Sequence, residues 1–232
     1  VSGDIAKFNA AQAALQFVKD GMVVGLGTGS TSAHFVRLLG ERVRQGLRIK
    51  GVPTSEATRT LAEQVGVPLV EISSLNGLDL DVDGADEVDP EFRLIKGGGG
   101  ALLREKIVAA ASKRMVVIAD ESKWVETLGA FPLPVEVTRF GFALTQAHIS
   151  KALKDTGCAG AEVTLRTSGK ANEPVITDGG NYIADAHAKR IPDANALSGA
   201  LKQIAGVVEH GLFIGLAHTV IIGKAKGADI RP

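Results

Sequence analysis

Several side chains in the first half of this chain are of types that move protons, and they sit beside glycine turns. Asp-Val-Asp-Gly-Ala-Asp-Glu occupies 81–87, Lys-Gly-Gly-Gly-Gly occupies 96–100, and Arg-Glu-Lys stands at 104–106. Upstream, 25–31 read Gly-Leu-Gly-Thr-Gly-Ser-Thr. Glycines let a backbone turn tightly, and the free N–H groups of a helix opening there point at an anion. Thr28, Ser30 and Thr31 add hydroxyl donors. A phosphate grip next to carboxylates and a lysine suits acid–base chemistry on a small phosphorylated molecule.

Each motif also has a plainer reading. Strand–helix glycine turns are common without ligands, so 25–31 alone divides evenly between an anion site and a bare junction. Asp79, Asp81 and Asp83 alternate and would share one strand face. A solvated acidic face explains Asp79 and Asp81. It explains Asp83 and Asp86 less well, because they fall at the carboxyl end of a strand, where open α/β sheets form ligand crevices. Taken alone, Arg104-Glu105-Lys106 is a solvated charged face by default; Lys96 and four ordered glycines just upstream raise the functional reading to even.

Several chemistries are excluded. A dinucleotide fingerprint needs glycine where Ser30 stands and a carboxylate after the second strand, where the chain reads Gly-Val-Pro-Thr-Ser at 51–55. Neither glycine run continues into Lys-Ser or Lys-Thr, so a Walker A loop is absent. The run from Asp79 opens like a calcium loop, but its twelfth position is Pro90 rather than a bidentate Glu. His34, His148, His187, His210 and His218 are scattered without metal-ligand spacing. We therefore expect no metal and no cofactor.

The elements that must hold these residues read as an α/β chain. Helices are expected over 4–18 (with Ile5, Phe8, Ala11, Leu15 and Val18 inward), 31–44, from a Ser55 cap, and over 101–111. Apolar runs at 22–26, 48–52, 67–70, 78–82 and 115–119 read as strands of a parallel, Rossmann-like sheet. After Phe-Pro-Leu-Pro at 131–134 the order changes. Strands at 135–137 and 161–165, a helix over 142–155, a hairpin of 175–177 with 182–185, and a helix over 193–204 suggest a smaller α+β domain. The run at 219–223 returns to the first sheet. The expected division is 1–130 plus 207–232 for the catalytic domain and 131–206 for the small one.

The 232 residues carry 26 Lys+Arg against 26 Asp+Glu, so no net charge draws the chain to nucleic acid. Trp124 and Tyr182 are alone of their types, which offers little surface for base stacking. No apolar run approaches a membrane span, and no signal-peptide pattern precedes the first helix. The chain begins at Val1, read as an initiator Met removed or omitted. A single Cys158 forbids an intrachain disulfide and fits a cytoplasmic protein.

Taken in order, these motifs resemble ribose-5-phosphate isomerase, type A. The resemblance continues through Ile-Ala-Asp at 118–120, Lys123, Leu-Gly at 128–129, 131–137, Val-Ile-Thr-Asp at 175–178, Gly-Val-Val at 206–208 and Gly-Leu-Phe at 211–213. It implies interconversion of ribose 5-phosphate and ribulose 5-phosphate through an enediol, without a metal. It implies that Glu105 is the base between C2 and C1. Asp83 would assist ring opening and shuttle protons, Asp86 would hold sugar hydroxyls, and Lys96 would stabilise the enediolate oxygen. Substrate binding would fall to Thr28, Gly29, Ser30, Thr31, Gly84, Ala85, Gly97, Gly98, Gly99 and Lys123, with Lys7 assisting. A homodimer or homotetramer joined through the small domain is implied. One departure is Gly-Ala-Leu-Leu at 100–103, where a familiar member of the family has Ala-Ala-Leu-Thr; Leu103 is expected to pack inward.

Two other classes compete. An aminosugar-phosphate isomerase-deaminase should need a base suited to an amine, and no histidine has a place for it. A sugar-phosphate sensor normally carries a helix-turn-helix, for which the N-terminal residues leave no room.

Overall fold

The computed structural model describes residues 2–169 and 172–232; Val1 lies outside the described residues. In chain order the first elements are α1 Ser2–Ala14, β1 Val23–Leu26, α2 Ser30–Arg44, β2 Lys50–Pro53, α3 Glu56–Gln64 and β3 Leu80–Gly84. Then come β4 Glu87–Val88, β5 Leu94–Ile95, α4 Leu102–Ala111, β6 Met115–Asp120, β7 Leu133–Val137, α5 Phe142–Asp155 and β8 Glu162–Leu165. The chain ends with β9 Tyr182–His187, α6 Ala194–Lys202, β10 Val207–His210, β11 Leu212–Phe213, β12 Ala217–Gly223 and β13 Ala228–Arg231. Two compact units result: Val1–Ala85 with Arg104–Trp124 and Gly215–Pro232, and Asp86–Leu103 with Val125–Ile214. The stretch from Asp86 to Leu103 thus groups with the second unit, not with the first as the expected division had it.

The first unit is an α/β layer structure around a six-stranded sheet of order β13-β12-β6-β3-β1-β2. All neighbours pair in parallel except β12 with the edge strand β13. Leu26, Phe35, Leu39, Leu80, Val82, Ile118 and Ile221 form its core. The return of 219–223 to this sheet is as expected, in register with β6 from Val116 to Asp120.

Three expectations fail here for physical reasons. Helix α1 buries Ala6, Ala10, Ala11 and Ala14, while Ile5 and Phe8 are exposed. Small side chains let the helix lie close on β6 and β12, which outweighs the apolar stripe. Residues 67–70 form no strand but one bridge, Gly51 with Leu69, because Pro68 has no N–H to donate. Asp81 is fully buried, not solvated. A central parallel strand covered on both faces offers its side chains no water.

The second unit holds a four-stranded antiparallel sheet, β10-β7-β9-β8, and a small β11-β5-β4 sheet. Helices α5 and α6 bury Ile149, Leu153, Leu197 and Leu201 with Val135, Val137, Ala184 and Ala186. The hairpin expected at 175–185 forms only its turn. Thr177 N–H donates to Asn181 O (2.9 Å) and Gly180 N–H to Thr177 O (2.8 Å). Buried Glu136 accepts from Thr177 Oγ1 (2.8 Å) and Asn181 Nδ2 (2.9 Å). Strand β9 pairs instead with β7 and β8.

Candidate active site

In the first unit the carboxyl ends of β1 and β3 lie side by side, with Leu26 opposite Val82. The chain then turns at Gly27, whose N–H donates to Val82 O (3.0 Å). This turn sits directly on Asp83. A Cβ at Gly27 would lie 2.0 Å from Asp83 Oδ1. Asp83 Oδ1 accepts from Thr28 N–H (3.1 Å), Gly84 N–H (2.7 Å) and Ser32 Oγ (3.3 Å), and the residue has no exposed surface. Ser32 Oγ also accepts from Gly84 N–H (3.1 Å). The motifs at 25–31 and 83–84 are thus one hydrogen-bonded unit.

Thr28 is anchored from the other side. Its hydroxyl is 2.8 Å from Thr54 Oγ1 and donates to Ser55 Oγ at 2.9 Å. Thr58 Oγ1 donates to Gly27 O (3.0 Å), and Ser55 caps α3 through Thr58 N–H as expected. The hydroxyl attributed to substrate binding is therefore occupied by the N-terminus of α3, which fixes the turn. Gly29 takes φ +109° and begins α2, with no side-chain cap on the helix. Gly29 and Ser30 are exposed and Thr31 half-buried, so this N-terminus presents donors to the outside.

Glu105 lies in the first turn of α4 and is only 4% exposed. The default of a solvated Arg-Glu-Lys face is corrected here. Arg104 faces outward to Glu56 (2.7 Å), and Glu105 faces inward. A helix N-terminus favours negative charge, which offsets part of that burial. Lys123 ends a short 3₁₀ turn capped by Asp120, whose Oδ1 accepts from Ser122 N–H (3.0 Å). Lys123 and Lys7 line one cleft of about 430 Å³ with Asp120, Glu121 and Ser122, so two lysines far apart in sequence border one space. Ala85 is half-buried beside Gly84.

In the second unit Lys96 is 2% exposed. Its Nζ stands 5.5 Å from the Phe213 ring centre, and its N–H donates to Gly211 O (2.9 Å). The following turn leaves Gly97 buried and Gly98 and Gly99 exposed. Asp86, half-buried, accepts the Gly98 N–H at Oδ2 (2.7 Å). Leu103 is half-buried, and it is Leu102 that packs fully inward.

Sequence reasoning missed a group here. Arg166 Nη1 donates to Gly97 O (2.8 Å) and Gly98 O (3.1 Å). Asp185 holds that guanidinium through Nε (2.8 Å) and Nη2 (2.5 Å). No motif surrounds either residue, and only a strand pairing of 164 with 185 hints at their meeting. Among the described residues no cluster of His, Cys, Asp and Glu could hold a metal ion.

Comparison with known proteins gives the family. The family profile described as ribose 5-phosphate isomerase A (phosphoriboisomerase A) matches residues 50–227. A ribose-5-phosphate isomerase A of Nitrobacter hamburgensis is 59% identical over 227 residues, 98% of this chain and 97% of its own. Another, of Rhodopseudomonas palustris, is 58% identical over 230 residues, 99% and 95% of the two chains. Among solved structures, ribose 5-phosphate isomerase A of Methanocaldococcus jannaschii matches with a TM-score of 0.90 at 41% identity, over 97% of each chain. A D-ribose-5-phosphate isomerase solved with phospho-erythronic acid matches at 0.92 and 39% identity, over 100% and 99%. On sequence and fold alike, the chain belongs to the ribose-5-phosphate isomerase A family.

Proposed function

We propose that Glu105, Asp83 and Lys96 carry the isomerisation of ribose 5-phosphate to ribulose 5-phosphate, the reaction of the family to which the chain belongs. The observation that carries this reading is burial. Three ionisable side chains singled out by motif are 4%, 0% and 2% exposed, and charged residues are seldom buried without a task.

The chemistry starts from the open-chain aldehyde. Glu105 takes the proton from C2, and the electron pair moves to form the C1–C2 double bond while O1 gains charge. The Lys96 ammonium stabilises that oxygen. The proton on O2 passes to O1 with Asp83 as relay, and Glu105 returns its proton to C1, leaving a C2 ketone. Atoms and charge balance, and no external oxidant enters. Asp86 orients sugar hydroxyls. Gly29, Ser30 and Thr31, on the turn that Thr28 anchors, hold the phosphate with Lys123 and Lys7, remote from C1 and C2, so its binding energy orients the sugar. Gly84, Ala85, Gly97, Gly98 and Gly99 bring backbone close to the substrate. A positioned base contributes about 10²–10⁴-fold and electrostatic stabilisation of the oxyanion often more.

The test is ribulose 5-phosphate formation in the presence of EDTA, with Glu105→Gln alongside. Turnover should fall by about 10²–10⁴-fold with an unchanged melting temperature. Near-wild-type turnover in a folded Glu105→Gln protein removes Glu105 from the mechanism, and reversible loss in EDTA adds a metal to it.

Self-association as a dimer or tetramer, through the 131–206 region, is part of the same proposal. The exposed apolar side chains Phe140 and Leu144 of that region support it. A cytoplasmic setting is supported by Cys158, a buried free thiol.

A further inference from the structure

The glycine turn after Lys96 is held by more than the motif contains. The peptide joining residues 97 and 98 is gripped on both sides. Its carbonyl, Gly97 O, accepts from Arg166 Nη1, and its N–H, on Gly98, donates to Asp86 Oδ2. The next peptide is gripped on one side, where Gly98 O also accepts from Arg166 Nη1. The peptide bonds are trans, so the N–H of Gly99 points opposite to that carbonyl. Fixing the Gly98 carbonyl therefore aims the Gly99 N–H away from Arg166. A run of glycines has no side chains to set its own conformation, and ordering it is entropically unfavourable. One bond lies within the run, from Gly100 N–H to Gly97 O (3.0 Å), and the rest of the clamp comes from outside it.

The clamp is itself rigid. Arg166 and Asp185 pair in the two-pronged geometry of guanidinium and carboxylate, with both side chains 15% exposed. That pairing uses Nε and Nη2 and leaves Nη1 to the two carbonyls. The guanidinium holds the carboxylate and the two carbonyls from separate nitrogens; a lysine ammonium, a single nitrogen, cannot reproduce the two-pronged grip and the carbonyl contacts together.

We propose that Arg166 is a positioning residue for the isomerase: anchored by Asp185, it turns the Gly97 and Gly98 carbonyls toward itself so that the Gly99 N–H is presented as a donor to the substrate oxygen that becomes charged. This rests on the reading of the 97–99 turn as part of the substrate site. A donor aimed at a developing oxyanion acts more in the transition state than on bound substrate, so its misalignment lowers kcat more than it raises KM.

The experiment compares Arg166→Met, Arg166→Lys and Lys96→Met in the ribose 5-phosphate assay, with melting temperatures for each. Arg166→Met should lower kcat on the order of 10- to 100-fold, with KM changed less than kcat. Arg166→Lys should fall between Arg166→Met and the wild type. In a fourth variant, Arg166→Ala, guanidinium ion at sub-denaturing concentration should restore part of kcat. A folded Arg166→Met with wild-type kcat, or a loss confined to KM or to melting temperature, overturns the proposal. If Arg166→Met does not fold, Arg166→Lys decides, and wild-type kcat there overturns it equally. Lys96→Met separates the two levels. If it abolishes turnover while the Arg166 variants do not, only the positioning role fails. If it also turns over normally, the reading of the glycine turn fails with it.

Discussion

Two glycines of one motif, with one residue between them, should respond to alanine in different kinetic constants. At Gly27 the added Cβ would lie 2.0 Å from Asp83 Oδ1, 2.3 Å from Asp83 Cγ and 2.6 Å from Asp83 Cα. That is roughly 1.5 Å short of ordinary van der Waals contact. Rotating the Asp83 side chain does not relieve it, because the backbone Cα clashes too. Strands β1 and β3 must part locally, straining the Gly27 N–H to Val82 O bond and the Thr28 N–H to Asp83 Oδ1 bond. Overpacking of this kind costs about 1–3 kcal/mol, or roughly 2–12 °C of melting temperature for a chain of this size. A displacement near 1 Å in a reacting carboxylate costs about 10²-fold in rate. At Gly29 the Cβ would meet nothing within 4 Å, and only the φ of +109° resists substitution. That strain costs about 1–3 kcal/mol and does not touch Asp83. In steady-state assays at saturating ribose 5-phosphate, Gly27→Ala should therefore lose about 100-fold in kcat. Gly29→Ala should keep kcat within a few-fold and raise KM, because it re-aims the α2 N–H donors. Equal kcat values for the two variants, or full kcat in Gly27→Ala, would refute the link between the glycine turn and Asp83.

Two further outcomes follow from other parts of the molecule. Lys113 Nζ (2.8 Å) and the Val23 N–H (2.9 Å) hold the Asp79 carboxyl below its ordinary 3.8, the lysine contributing more. The folded state thus binds this proton less readily than the unfolded chain. Its contribution is complete above about pH 4 and drains away as pH falls through the lowered value. Asp79→Asn should melt lower than wild type near neutrality, and the difference should close in acid; a gap that persists unchanged below pH 3 by differential scanning fluorimetry contradicts this ionic account. Phe140 is 94% exposed and Leu144 72%. Phe140→Glu should reduce the mass found by light scattering if this region joins copies of the chain, and a wild-type chain that runs as a monomer ends the oligomer proposal.

How far the sequence could be read depended on how local each signal was. The helix expected over 142–155 is α5 to the residue, and Ser55 caps α3, because capping and helical spacing are properties of a few consecutive residues. The strand–turn–helix junction at 25–31 was legible for the same reason. Burial was not. Alternation placed Asp79, Asp81 and Asp83 on one face but could not say whether that face met water; the neighbours β1 and β6 decide it, and they lie elsewhere in the chain. The same limit misread α1, where Ile5 and Phe8 looked inward by pattern and alanines packed inward in fact.

Arg166 is the extreme case of this limit. Its anchor Asp185 is 19 residues away and the Gly97 carbonyl it grips is 69 residues away. Neither separation leaves a periodicity or a motif. Yet the glycine run itself implied that something of the kind must exist. Within the four glycines a single bond, Gly100 N–H to Gly97 O, restrains the turn, and residues without side chains add little more, so a turn that presents a donor at a fixed angle borrows the rest of its rigidity. Sequence shows where rigidity is lacking, and only the fold shows which residue supplies it.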